Sequence, residues 1–242
     1  MYPFAHLRDA YDELWAAVAA RLPDAPAALD REVDLSTAWH SPDLLVAQTC
    51  GWPLVSELAD EVEVIGAFDV RAPFAAECRY RSVLVAAKPL GIEVWKQDPA
   101  TVVAQNGPAS LSGWVSMLWA WGGTPPNVLH TGGHVLSMRA VAAGEAQVAS
   151  IDALSFEFLA ETERATVGRL HVIGHGPLVG TLPLVMSKAL AHRRDGVRAA
   201  FADAVTDPSL ADACARLRIN AFVPVGLDHY ASLGSLVPPP AS

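Results

Sequence analysis

The stretch Gln105-Asn106-Gly107-Pro108-Ala109-Ser110-Leu111-Ser112-Gly113-Trp114 places hydroxyls, amides and glycines where a strand would turn into a helix. It follows the β-branched run Thr101-Val102-Val103-Ala104 and precedes the apolar run from Trp114 to Trp121. Asn106, Ser110 and Ser112 are residue types that cap a coming helix. A helix start leaves backbone N–H groups without intrahelical acceptors, so beside two serine hydroxyls it is an anion site. The same residues also make an ordinary N-cap, and this stretch alone does not separate the two readings.

Other residues carry the spacing of metal or nucleophile chemistry. His130 and His134 lie four apart, as do His171 and His175. On a helix that spacing puts two ligands on one face. Thr131-Gly132-Gly133 and the glycines at 174 and 176 argue for turns or loops instead, and no third ligand is evident, so no metal is expected. Cys50 with His134 would make a nucleophile–base pair, but no orienting acid stands at a definite spacing. The commoner role for such a cysteine is packing beside a tight turn. Asp152 reads either as an N-cap for the helix behind it or as an acceptor for a proton-bearing ligand group.

The composition narrows the class. The 242 residues are 52% hydrophobic and 18% charged, which favours a well-buried core over disorder. A net charge of −9 leaves no basic stripe for nucleic acid. Cys50, Cys78 and Cys214 lie far apart without CxxC spacing, so neither a zinc site nor a disulfide framework is expected. From Pro99 to Met138 there is no Asp, Glu, Lys or Arg, yet polar residues and prolines break the run. No apolar piece approaches the ~20 residues of a membrane span. Membrane insertion is not expected.

Strand and helix patterns alternate along the chain. Asp9 to Leu22 has helical spacing and stops before Pro23. Short strands are expected at Leu44 to Gln48, Val62 to Phe68, Tyr80 to Ala87, Thr101 to Ala104, Gln147 to Ile151 and His171 to Ile173, and the chain closes with Asn220 to Val225 and a Pro-rich tail. Helices are expected from Leu54, at Gly113 to Trp121, Val135 to Ala143, Phe156 to Ala165, around Ser187 to Leu190, and at Asp195 to Val205. Gly180-Thr181-Leu182-Pro183 reads as a turn. The alternation implies an α/β architecture with mainly parallel sheets. Several strand ends open into polar turns at a helix start, where ligands of open α/β sheets bind.

Four motifs in this order resemble the substrate-binding proteins of phosphate and phosphonate ABC transporters, the PhnD-like branch of the type 2 periplasmic binding proteins. They are Gln48-Thr49-Cys50-Gly51-Trp52-Pro53, Asn106-Gly107-Pro108-Ala109-Ser110-Leu111-Ser112-Gly113, Thr131-Gly132-Gly133-His134 and Ala146-Gln147-Val148-Ala149-Ser150-Ile151-Asp152. The resemblance spans about Met1 to Val225. It implies a two-lobed type 2 periplasmic-binding-protein fold, each lobe a mainly parallel sheet flanked by helices, with two crossover strands joining the lobes. Lobe 1 would comprise residues 1–87 plus 171–242 and lobe 2 residues 88–170. The ligand would lie in the cleft between them, enclosed by hinge closure.

The resemblance also implies site residues. Ser110 and Ser112, with the N–H groups of Leu111, Ser112 and Gly113, match the anion-gripping helix start. Thr131 and His134 match a second turn, with His134 donating to an anion oxygen, and Asp152 matches the acidic residue that accepts a ligand proton. Tyr2, Thr49 and Tyr80 would close from lobe 1, while Asn106 would brace the turn. No Lys or Arg lies in the four motifs, so helix N-termini and neutral donors must meet the charge.

The implied function is capture of a small phosphate- or phosphonate-like oxyanion without transforming it, with no cofactor. The partner would be an ABC transporter permease and the binding protein a monomer. A cytoplasmic ligand sensor and a small-molecule biosynthetic enzyme are the alternatives on the same fold. The family normally has a full strand ahead of Tyr2, and Met1-Tyr2-Pro3-Phe4-Ala5-His6 shows neither a basic n-region nor an apolar h-region. The expected compartment is therefore the cytoplasm as the sequence stands, and the periplasm if the true N-terminus lies upstream of Met1.

Overall fold

The structure is a computed structural model, and it describes Tyr2 and residues 4–236. The Pro-rich tail lies outside the described residues. In chain order, helix α1 (Arg8–Ala19) is followed by β1 (Ala47–Gln48), a π-helical turn at Leu54–Leu58, β2 (Val62–Val70), β3 (Arg79–Ala86) and β4 (Val102–Gln105). A second π-helical turn, Leu111–Val115, runs into α2 (Ser116–Trp121). Then come β5 (Asn127–His130), α3 (His134–Ala143), β6 (Val148–Ile151), α4 (Ala153–Thr162), β7 (His171–Gly180), β8 (Pro183–Ser187), α5 (Arg194–Thr206), α6 (Ala211–Arg216) and β9 (Ile219–Val223).

The chain divides into two compact units. The first holds the chain up to Arg71, Ala75–Arg79 and Gly180–Ala231. The second holds Ala72–Phe74, Tyr80–Val179 and the described residues from Ser232 on. The lobe limits expected from the sequence fall elsewhere, because β3 and nearly all of β7 go with the second unit. The cause is strand pairing: β3 is hydrogen-bonded to β6, with Val83 opposite Ile151 and Ala86 opposite Val148. β7 lies on the other side of β3 in the same sheet.

In the first unit the strand order is β1-β8-β2-β9. Each pairing in it is antiparallel, so the expected mainly parallel sheet is not found here. The reason is β8. Its run Pro183-Leu184-Val185-Met186-Ser187 is buried throughout and enters between β1 and β2. Sequence reading placed a turn at Gly180 to Pro183 and a helix around Ser187 to Leu190 and gave Leu184 to Met186 no element, because a short apolar run has no periodicity to tell strand from helix. Pro183 sits at the first strand position, where its missing N–H costs little. Helix α1 buries Ala10, Tyr11, Leu14, Trp15 and Val18 at helical spacing, and it packs on α5 and α6. Phe201 of α5 stacks on Phe222 of β9, with ring centroids 5.4 Å apart.

In the second unit the order is β5-β4-β6-β3-β7. Here β4 runs parallel to both β5 and β6. Val103, Ala104, Val148, Ala149 and Ile151 are buried, as expected for strands covered on both faces. Three neighbouring parallel strands end at one edge of the sheet, and each leads into a helical element. No helix among the described residues is long and apolar enough to cross a membrane.

Candidate functional site

The first helix start follows β4. Ser110 is the N-cap in extended backbone, and its Oγ accepts the Gly113 N–H at 3.1 Å. Asn106 Nδ2 donates to the same oxygen at 2.8 Å. Only glycine fits at position 113: a Cβ there would stand 1.7 Å from Asn106 Oδ1. The chain then makes the π-helical turn before α2 begins. Such turns often mark functional sites.

The second start follows β5. Thr131 N–H donates to the Gln105 carbonyl at 2.8 Å, joining this turn to the end of β4. The Thr131 hydroxyl lies 3.0 Å from the same carbonyl and 2.6 Å from Ser137 Oγ. Gly132 has φ of 85°, a left-handed conformation that glycine adopts without strain. His134 is then the first residue of α3. The third start follows β6, where Asp152 caps α4 by accepting the Ser155 N–H at 2.8 Å.

His134 joins all three. Its Nε2 lies 3.1 Å from Ser112 Oγ and 3.2 Å from Asn106 Nδ2. Its Nδ1 accepts the Asp152 N–H at 3.4 Å. Burial lowers the His134 pKa, and the Asp152 charge opposes that shift. The residue is half-buried overall, but its imidazole lies deep enough for desolvation to prevail, so the ring is neutral at pH 7. Ser150 Oγ adds a brace, donating to the Ser112 carbonyl at 2.6 Å.

The structure thus brings together Ser110, Leu111, Ser112, Gly113, Thr131, His134 and Asp152 at one sheet edge of the second unit. Their engagement differs from the sequence reading in several places. Both ring nitrogens of His134 face groups of its own unit. The Thr131 hydroxyl is turned to the Gln105 carbonyl and Ser137, and Asp152 serves as an N-cap. Tyr80 belongs to the second unit rather than the first, because β3 does, and its side chain is buried.

Thr49 and Tyr2 lie in the first unit. Thr49 is buried, with Oγ1 donating to the Cys50 carbonyl at 3.3 Å. Tyr2 N–H donates to the Tyr11 hydroxyl at 3.4 Å. Cys50 lies in the first unit and His134 in the second. His171 and His175 lie on β7, which runs on as strand through the glycines at 174 and 176, where a strand was expected only to Ile173. His130 Nδ1 contacts Gln105 Oε1. Among the described residues, no group of three or more His, Cys, Asp or Glu could hold a metal ion.

Sequence reading gave no role to Gln105, Ser137, Ser150 or Ser155. Ser150 was within reach, since it stands two residues before Asp152 in a quoted motif. The other three depend on partners distant in sequence or on cap geometry.

Comparison with known proteins gives the family and the fold. The family described as "ABC transporter, phosphonate, periplasmic substrate-binding protein" matches residues 53–230. No curated protein matches the chain. A binding-protein component of an ABC phosphonate transporter from Pseudomonas aeruginosa superposes with a TM-score of 0.80 at 19% identity, covering 97% of this chain and 82% of that one. PhnD1 from Prochlorococcus marinus, solved in complex with methylphosphonate, superposes with a TM-score of 0.72 at 14% identity, covering 94% and 92%. XAC2383 from Xanthomonas citri, bound to ATP, gives 0.66 at 12% identity, covering 95% and 92%. At such identities the structural likenesses establish the two-lobed fold, and the family match establishes the lineage. The chain belongs to the family of periplasmic substrate-binding proteins of phosphonate ABC transporters.

Proposed function

We propose that this chain captures a small tetrahedral oxyanion of the phosphonate or phosphate kind at the three helix starts of its second unit, and hands it on unchanged. The observation that carries the reading is the bridging of those starts by His134. Parallel neighbours β5, β4 and β6 deliver their helix N-termini to one edge. Helix N-termini supply N–H donors and the positive end of the dipole, so they suit an anion without any lysine or arginine. Ser112 adds a hydroxyl, and Asp152 suits a ligand that keeps one proton. Tyr2, Thr49 and Tyr80 are secondary candidates for ligand contact.

A family of transporter binding proteins makes an ABC permease the natural partner and the periplasm the natural compartment. Action as a monomer and the absence of catalysis and of a cofactor belong to the same reading. PhnD1 was solved with methylphosphonate, which makes that compound the first probe.

The test is a thermal-shift and calorimetric screen of methylphosphonate, phosphite, phosphate, sulfate and acetate. A ligand at ~100 times its dissociation constant adds roughly 2.7 kcal/mol to stability. For a chain of this size that raises the melting temperature by about 5–10 °C. A phosphorus oxyanion is expected to produce this shift and acetate is not. No shift with any oxyanion contradicts the proposal.

A further inference from the structure

The four motifs hold no lysine or arginine, but the fold brings an arginine to the same sheet edge. β3 runs antiparallel to β6, with Val83 opposite Ile151. Arg81, two residues before Val83, therefore stands beyond the end of β6, where Asp152 opens α4. Neighbouring strands lie about 5 Å apart. The order β4-β6-β3 then puts Arg81 one strand spacing from Asp152 and two from the turn that carries Ser112.

The guanidinium is held in place by β7. Nη1 donates to the Gly176 carbonyl at 2.9 Å. Gly176 is packed on the helix of the candidate site: a Cβ there would stand 2.0 Å from Ser116 Oγ. Ser116 opens α2 directly behind the π-helical turn Leu111–Val115. Arg81 is half-buried, yet no carboxylate among the described residues pairs with it. Arg21 and Arg194, by contrast, are paired with Asp207 and Glu63. Removing a cation from water without a counter-charge is costly, and a guanidinium with one bond to a carbonyl keeps four N–H donors to give.

The surroundings of Arg81 do not supply the counter-charge. Burial and then the Arg81 charge lower the pKa of His175, so its ring is neutral. Its Nε2 is buried without a hydrogen-bond partner. Phe74 covers that ring, with centroids 4.0 Å apart. Phe74 holds φ of 62°, a left-handed backbone that a bulky residue rarely adopts, and it is 59% exposed. Strain of this kind clusters at ligand-binding positions.

Resting on the oxyanion reading above, we propose that Arg81 is a second anion-binding point at the same sheet edge, and that it takes a carboxylate. The ligand class is then a phosphonate or phosphate that carries a carboxylate on a short carbon chain. The helix starts hold the phosphorus head. The planar carboxylate meets the guanidinium, whose fork matches it with two parallel hydrogen bonds. The exposed ring of Phe74 adds apolar surface at this corner.

Calorimetric titration with methylphosphonate, propylphosphonate, phosphonoacetate and phosphonopropionate tests the proposal. At least one phosphonocarboxylate is expected to bind about tenfold or more tighter than methylphosphonate, because charge-assisted bonds are added. Propylphosphonate, which adds carbon without charge, is expected to show no such gain. In Arg81→Gln the ratio of phosphonocarboxylate to methylphosphonate affinity is expected to fall to about one, whatever happens to the two absolute values. A phosphonocarboxylate no tighter than methylphosphonate overturns the proposal, and so does an advantage that survives in Arg81→Gln. Should Arg81→Gln not fold, histidine NMR of the wild type decides. The His175 ring signal, identified by its loss in His175→Gln, is expected to move with the phosphonocarboxylate and not with methylphosphonate; equal movement contradicts the assignment. Methylphosphonate binding without a carboxylate advantage sinks this inference and leaves the function reading standing. No phosphonate binding at all overturns both.

Discussion

Two strand-to-helix turns of this chain resemble each other locally and differ in their surroundings. In the first unit β1 passes through Cys50, in extended backbone, to a short helical turn and the π-helical turn Leu54–Leu58. In the second unit β4 passes through Ser110, also extended, to the π-helical turn Leu111–Val115. The Cys50 side chain makes no cap hydrogen bond, whereas Ser110 caps Gly113. The larger difference lies in the sheets. β1 has β8 beside it in an antiparallel pair. β4 has β5 and β6 beside it in parallel pairs. Parallel neighbours must end at the same edge, so three helix starts gather and one histidine can touch them all. Antiparallel neighbours end at opposite edges. Site-building capacity therefore resides in the strand sense and not in the turn itself.

The largest predicted effect is in the first unit. Met186 of β8 is fully buried, and Met186→Ala is expected to cost about 2–5 kcal/mol. Chemical denaturation measures it, and a loss under about 1 kcal/mol would mean β8 is not the central strand. Next comes Gly113→Ala, whose Cβ would collide with the Asn106 carboxamide. Overpacking of this kind costs about 1–3 kcal/mol. Because it displaces Asn106, it is also expected to abolish oxyanion binding. Retention of both stability and affinity would break the comparison.

A third prediction concerns acid. Burial lowers the pKa of His134. Burial and then the Arg81 charge lower that of His175. Unfolded, both take up a proton near pH ~6.5; folded, both resist it. Their contribution is fully present above pH ~6.5 and is lost as pH falls through the lower folded values. Denaturant melts between pH 8 and pH 5 are expected to show this loss, with a shallower dependence in His134→Gln. An unchanged pH dependence in that variant contradicts a buried neutral His134. The smallest effect is Gly107→Ala, six residues before Gly113 in the same turn. A Cβ there meets nothing within 4 Å, and a stability change within about 0.5 kcal/mol is expected.

What the sequence revealed follows the same division. Turns betray themselves through local chemistry, so Ser110, Gly113 and Asp152 could be placed at helix starts from residue type and spacing alone. The lineage could be read because four such turns keep their order. Strand sense was not legible for Leu184 to Met186, since their burial depends on partners more than a hundred residues away. The unit boundary at Tyr80 escaped for a like reason: β3 is assigned by its pairing to β6. His134 as a bridge, with its Nδ1 on the Asp152 N–H, is a tertiary fact. The family resemblance could name the residue as a donor but not say which nitrogen faces what.

The most direct test is a titration of ¹⁵N-labelled protein with methylphosphonate, followed by backbone amide and histidine NMR. The account predicts saturable shifts concentrated at Ser112, Gly113, His134 and Ala153, at the three helix starts of the second unit. Saturable binding that leaves those positions unmoved, or no binding at all, would contradict it.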